Sequence, residues 1–129
     1  MKMKMQKSID AMVSAYLDAV IFTDCGDVSD APKGAQFAAV AIIDAYATCA
    51  DFLARAMRAG LWQQWIDANK TIETFAYDYW LTRNGHGVGF WDRGLGAAGD
   101  ALSDMAQTQG SVYAYAGDDG LIYFGQTRS

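Results

Sequence analysis

The side chains best suited to chemistry gather in one stretch, Tyr79-Trp80-Leu81-Thr82-Arg83-Asn84-Gly85-His86-Gly87-Val88-Gly89-Phe90-Trp91-Asp92-Arg93, which holds the only histidine of the chain and two of its four tryptophans. His86 has the side chain whose charge changes near neutral pH, so with Asp78 or Asp92 to orient it, it could act as a general base or a metal ligand. That pairing defines one functional class, a small hydrolase or metal-dependent enzyme centred on His86 and Asp92. Its geometry is unfavourable on the strand reading given below. Alternation separates His86 from Asp78, and Asp92 lies six residues along a strand, roughly 20 Å away at ~3.3 Å per residue. No second histidine and no serine in a nucleophile frame completes a site. The reading therefore leans away from an enzyme, with no catalytic residues, metal or cofactor assigned, and His86 and Asp92 stay as the candidates if there is catalysis.

Other reactive residues read as structural. Asp24, Asp27 and Asp30 could approach a calcium ion, but their segment lacks the glycine and distal glutamate of a calcium loop, so it reads as a solvated loop. Cys25 and Cys49 are the two cysteines; no CxxC spacing or nearby histidine accompanies them, so neither a zinc finger nor a disulfide framework is implied, and whether the two lie near each other stays open. Gly85 to Gly89 is no phosphate loop, because no Lys-Ser/Thr follows and it joins strand to strand.

A second class is a binding surface. Trp80 and Trp91, flanked by Arg83, His86 and Arg93 and accompanied by Asn84 and Asp92, have the aromatic and arginine composition enriched at interface hot spots. The alternative is structural: Gly85, Gly87 and Gly89 permit a turn over which tryptophan packs. Asp78 and Arg93 share a face and are expected to pair across the strands, contributing under ~1 kcal/mol as a partly exposed pair.

The surrounding elements follow from periodicity. Ile9, Met12, Val13, Tyr16, Leu17, Val20 and Ile21 mark one face of a first helix with Ser8 as its N-cap. After a loop ending near Pro32, a second helix is expected from about Lys33 to Ala59, stopped by Gly60. Asp44, Thr48, Asp51, Arg55 and Arg58 form its polar stripe; Ile42, Ile43, Tyr46, Cys49, Ala50, Leu53 and Met57 form its buried one. Leu61 to Ala68 can form a short third helix. After Thr71 the period falls toward two: Phe75, Tyr77, Tyr79 and Leu81 alternate with their neighbours, and Asn84-Gly85 is a strong hairpin signal. The return strand runs to Asp92, with the buried face of the 75–93 hairpin left open. Leu95 to Gln107 returns to helical spacing. Val112 to Tyr115 and Leu121 to Phe124 then flank Gly117-Asp118-Asp119-Gly120 as a closing hairpin. The fold class is α+β: about three N-terminal helices, then hairpin, helix, hairpin, with an antiparallel sheet of about four strands and helices on one face.

A chain of 129 residues fits a single domain, with residues 1–7 read as a frayed basic end. A net charge of −5 and a pI near 4.5 argue against holding nucleic acid by phosphate neutralisation, and suit solubility or a basic partner. Asp24, Asp27, Asp30, Asp100, Asp104, Asp118 and Asp119 form the expected acidic surface. No apolar run suits a membrane span or signal sequence, so a reduced, cytoplasmic protein is expected, as monomer or homodimer.

The phrase Trp80-Leu81-Thr82-Arg83-Asn84-Gly85-His86-Gly87, followed by Gly89-Phe90-Trp91-Asp92-Arg93, resembles a group of small acidic proteins encoded by bacteriophages, prophages and related mobile elements. The similarity extends to a Cys-x-x-Phe from Cys49 to Phe52 and to the closing hairpin from Gly117 to Tyr123. Members of that group often read Gly-His-Asp-Phe-Trp where this chain has Ala76-Tyr77-Asp78-Tyr79-Trp80, so a site needing both histidines is incomplete here. The resemblance implies a bacterial host cytoplasm and a partner there: a host protein such as a CRISPR effector or another nucleic-acid-handling complex, bound and blocked in an anti-CRISPR-like or anti-restriction-like way.

Overall fold

The computed structural model describes residues 2–23, 36–85 and 89–126. Helix α1 (Lys2–Thr23) is followed by α2 (Ala39–Arg58), α3 (Leu61–Asp67) and α4 (Ile72–Arg83). A 3-10 turn (Phe90–Asp92), α5 (Ala97–Thr108) and a hairpin of β1 (Val112–Ala116) and β2 (Ile122–Gln126) complete the chain. The α+β class stands. The sheet, however, has two antiparallel strands rather than about four, because the segment expected to be the first hairpin is helix α4 and a 3-10 turn.

The reason lies in how α4 is buried. Phe75, Ala76, Asp78, Tyr79, Trp80, Leu81, Thr82 and Arg83 are all buried, so the helix is enclosed nearly all round and has no polar stripe to give a 3.6-residue period. Its aromatic content then imitates strand alternation. Its ends are nevertheless marked: the Thr71 hydroxyl accepts from the Thr74 N–H at 3.2 Å, and Gly85 follows the last turn at φ +67. Asn84-Gly85, read as a hairpin turn, is a helix C-terminus, where glycine is equally favoured.

The other helices and the closing hairpin lie in their expected order and places, with the starts of α1 and α2 displaced. Helix α1 begins at Lys2, so Ser8 lies inside it rather than capping it. Helix α2 starts at Ala39; residues 36–38 are extended and bridge to β2 at Phe37 and Ile122. Its buried stripe contains Ala41, Ala45, Cys49, Phe52, Leu53 and Ala56, while Ile42 and Ile43 are exposed, contrary to expectation. Asp51 and Arg55 form the expected i, i+4 pair at 2.8 Å. The loop acids Asp24, Asp27 and Asp30, with Cys25 and Pro32, lie outside the described residues, as does His86.

Helix α1 packs along α4 and α2, and aromatic rings fill the centre. Phe52 stacks on Tyr79 at 4.0 Å between centroids, and Phe75, Phe90 and Trp65 meet within 5.2–5.6 Å. A second group joins Tyr16, Trp80 and Phe124, fastening the hairpin's inner face to the helices. Tyr113 and Tyr115 point outward, each with more than a third of its surface exposed. No helix among the described residues is long and apolar enough to cross a membrane.

Candidate functional site

Most of the stretch from Trp80 to Arg93 is occupied in holding the fold together. Trp80 is buried, its indole N–H donating to the Thr23 hydroxyl at 2.7 Å, and its ring meets Tyr16 edge-on at 5.4 Å. It is therefore not part of an exposed platform. Burial follows from the helical phase of α4, which turns Trp80 toward α1 rather than onto an open sheet face.

Arg83, also buried, donates to the carbonyls of Gly110 at 2.9 Å and Gln109 at 3.2 Å. These carbonyls lie just beyond the last turn of α5. The guanidinium also donates to the Tyr16 hydroxyl at 3.1 Å and lies 5.3 Å from the centre of the Tyr79 ring. It thus sits at the C-termini of both α4 and α5, where the negative ends of two helix dipoles serve a buried cation. Burial pushes the Tyr16 and Tyr79 phenols well above their ordinary range, against the opposing pull of this cation.

Asn84 completes the joint. Its side-chain N–H donates to the Trp80 carbonyl at 3.0 Å, and its side-chain oxygen accepts from the Val112 N–H at 2.8 Å. The Ser111 hydroxyl donates back to the Arg83 carbonyl at 3.1 Å. Residues 83–84 and 109–112 are therefore stitched reciprocally, setting the angle at which β1 leaves α5.

Beyond residues 86–88, Gly89 lies against α4 with φ +153. A Cβ placed there would stand 2.0 Å from the Thr82 hydroxyl oxygen, which itself accepts from the Phe90 N–H at 3.2 Å. This close approach delivers the Phe90 ring into the core. The same reversal brings Arg93 back to Asp78, where Nε and Nη2 each meet one carboxylate oxygen at 2.7 Å. The partners are those expected, but they join a helix to the loop after the 3-10 turn, and the Asp78 side chain is 0% exposed.

Among the described residues of the stretch, the far end is exposed. Trp91 is 53% exposed, and Asp92 and Arg93 are exposed beside it. Asp92 adds to the charge felt by Arg93, whose proton is held more firmly than usual, chiefly by its hydrogen bonds to Asp78. With His86 outside the described residues, the His86–Asp92 pair has no observed geometry. Among the described residues no three His, Cys, Asp or Glu side chains gather where they could share a metal ion. Burial pushes the Cys49 thiol up to about 12, in keeping with a core role.

Two grooves stand near these elements. One, of about 390 Å³, is lined by Ala15, Asp18, Glu73, Thr74, Tyr77 and Arg93. The other, of about 220 Å³, runs between α2 and β2 and includes Val40, Asp44 and Tyr123. Sequence reasoning assigned no role to this second set. Its available signal was Val40 within an otherwise small-residue run. Of the expected acidic surface, Asp100, Asp104, Asp118 and Asp119 are exposed.

No known protein-family model, curated protein sequence or solved structure matches this chain.

Proposed function

We propose that the chain is a phage- or mobile-element-type accessory protein that binds and inhibits a bacterial host protein, a defence complex of the CRISPR or restriction kind, by non-catalytic contact. The observation that carries this reading is the division of labour in residues 80–93. Arg83, Asn84, Thr82 and the Asp78–Arg93 pair are committed to internal hydrogen bonds, leaving Trp91, 53% exposed, as the large apolar side chain offered outward among the described residues of the stretch. An exposed tryptophan among charged neighbours suits an interface anchor. The net charge of −5 and the exposed acids of α5 and the hairpin tip suit a basic partner such as the nucleic-acid channel of a defence complex. The resemblance of residues 80–93 to small phage and prophage proteins supplies the biological setting.

Affinity capture from bacterial lysate tests it. A stoichiometric host protein should be retained, released progressively as salt rises, and lost with Trp91→Ala at unchanged melting temperature. Capture of no protein, or capture indifferent to salt, overturns the reading.

A further inference from the structure

Among the described residues, the edge of β2 is covered over only part of its length. The Ile122 N–H donates to the Gln36 carbonyl and its carbonyl accepts from the Ala38 N–H, each at 2.9 Å, so the backbone groups of Ile122 point away from β1. On the opposite phase, the Gly117 N–H donates to the Leu121 carbonyl at 2.8 Å. Backbone direction alternates along an antiparallel strand. With Ala114 opposite Phe124 and Val112 opposite Gln126, the backbone groups of Phe124 and Gln126 therefore point the same way as those of Ile122. The covering segment leaves at Ala38 to enter α2, and among the described residues neither Phe124 nor Gln126 has a backbone hydrogen bond on that side.

The uncovered edge borders the groove of about 220 Å³ between β2 and the start of α2, whose one charged lining residue is Asp44. Val40, 62% exposed, forms part of its wall. We propose that this edge receives an extended segment of a partner protein that bears a lysine or arginine, added as a further strand beside Phe124 and Gln126 with its cation at Asp44. Main-chain pairing supplies the attachment in such strand addition, and the wall residues select the side chains. Pairing with a second copy would bring two chains of charge −5, and two Asp44 carboxylates, onto one edge; charge favours a basic partner instead. The inference deepens the host-binding reading and rests on it for the biological partner.

The probe is a blocked synthetic peptide of alternating valine and arginine, added to the isotope-labelled full chain. Amide exchange at Phe124 and Gln126 should slow by about tenfold or more, whereas a valine–glutamate peptide, or the arginine peptide N-methylated at alternate amides, should leave both unchanged. Asp44→Lys should reverse the preference between the two charged peptides, and Gln126→Pro should weaken binding by about tenfold. Protection elsewhere or nowhere overturns the proposal. Protection of the two amides that grows with protein concentration in the absence of peptide identifies a second copy as the occupant and overturns it equally. Host-protein capture that survives Gln126→Pro removes strand addition and leaves the host-binding reading standing; peptide protection without any host capture does the reverse.

Discussion

Asp78 and Arg93, fifteen residues apart, meet through two 2.7 Å hydrogen bonds, with the carboxylate wholly buried and the guanidinium partly exposed. This asymmetry makes the pair unequal in its response to mutation. Arg93→Met leaves a carboxylate without its cation in the interior and should cost about 3 kcal/mol. Asp78→Asn leaves an arginine that can turn to water, and should cost about 1 kcal/mol. Denaturant unfolding of both variants measures the order; equal losses would contradict it.

Gly89 should not tolerate a side chain. Alanine there combines an unfavourable φ of +153 with a Cβ driven against Thr82, so Gly89→Ala should destabilise the fold by at least about 2 kcal/mol. Gly85→Ala provides the comparison: its φ is +67 but nothing lies within 4 Å of the added atom, so about 1 kcal/mol is expected. Thermal melting of the two variants separates backbone strain from collision.

The hairpin tip should loosen in acid. The Tyr123 hydroxyl donates to Asp119 at 2.5 Å, and the Leu121 N–H donates to the same side chain at 3.0 Å. The Tyr123 bond first, and the Leu121 bond after it, hold the Asp119 carboxyl below its ordinary value. A lowered folded value means that its stabilisation is complete above the unfolded value of about 4 and is lost as pH falls through the folded one. Amide exchange at Leu121, corrected for its intrinsic pH dependence, should therefore accelerate below about pH 4, and Asp119→Asn should remove the acid-dependent part. At the basic end the same bond raises the Tyr123 phenol, so its contribution is present below about pH 10 and disappears as pH rises through the folded value.

Cys49 should resist alkylation while the protein is folded. Its side chain is buried and its thiol is pushed up to about 12 by desolvation, so the reactive thiolate is scarce at pH 8. In a Cys25→Ser background, iodoacetamide labelling should track unfolding, with denaturant accelerating it sharply. Rapid labelling of the native chain would place the thiol in an accessible setting instead.

The elements that the sequence displayed clearly were those with one wet face. The closing hairpin shows two short apolar runs flanking Gly117-Asp118-Asp119-Gly120, and α2 shows the Asp51–Arg55 pair that the structure contains. Helix α4 was illegible because burial around nearly its whole circumference erased its period. The Thr71 cap and the position of Gly85 were the surviving helix signals, both overshadowed by the strand reading of Phe75 to Leu81. The same error placed Trp80 on a surface and Asp78 beside Arg93 on a sheet, so one partnership was right although its geometry was not. Trp91 and Arg93 were legible as exposed candidates because glycines and charges surround them. The α2–β2 groove was not, since it exists only where residues 36–38 depart from the strand edge.

The position of Arg83 also constrains how the chain can fold. Its hydrogen-bond partners lie 67, 27 and 26 residues away, and a guanidinium leaves water at heavy cost unless its acceptors are already waiting. Desolvation of this one group therefore depends on the simultaneous presence of α1, α4 and the corner leading into β1. A partly assembled chain that buries α4 early would trap an uncompensated charge, which penalises half-formed intermediates and favours a single cooperative transition.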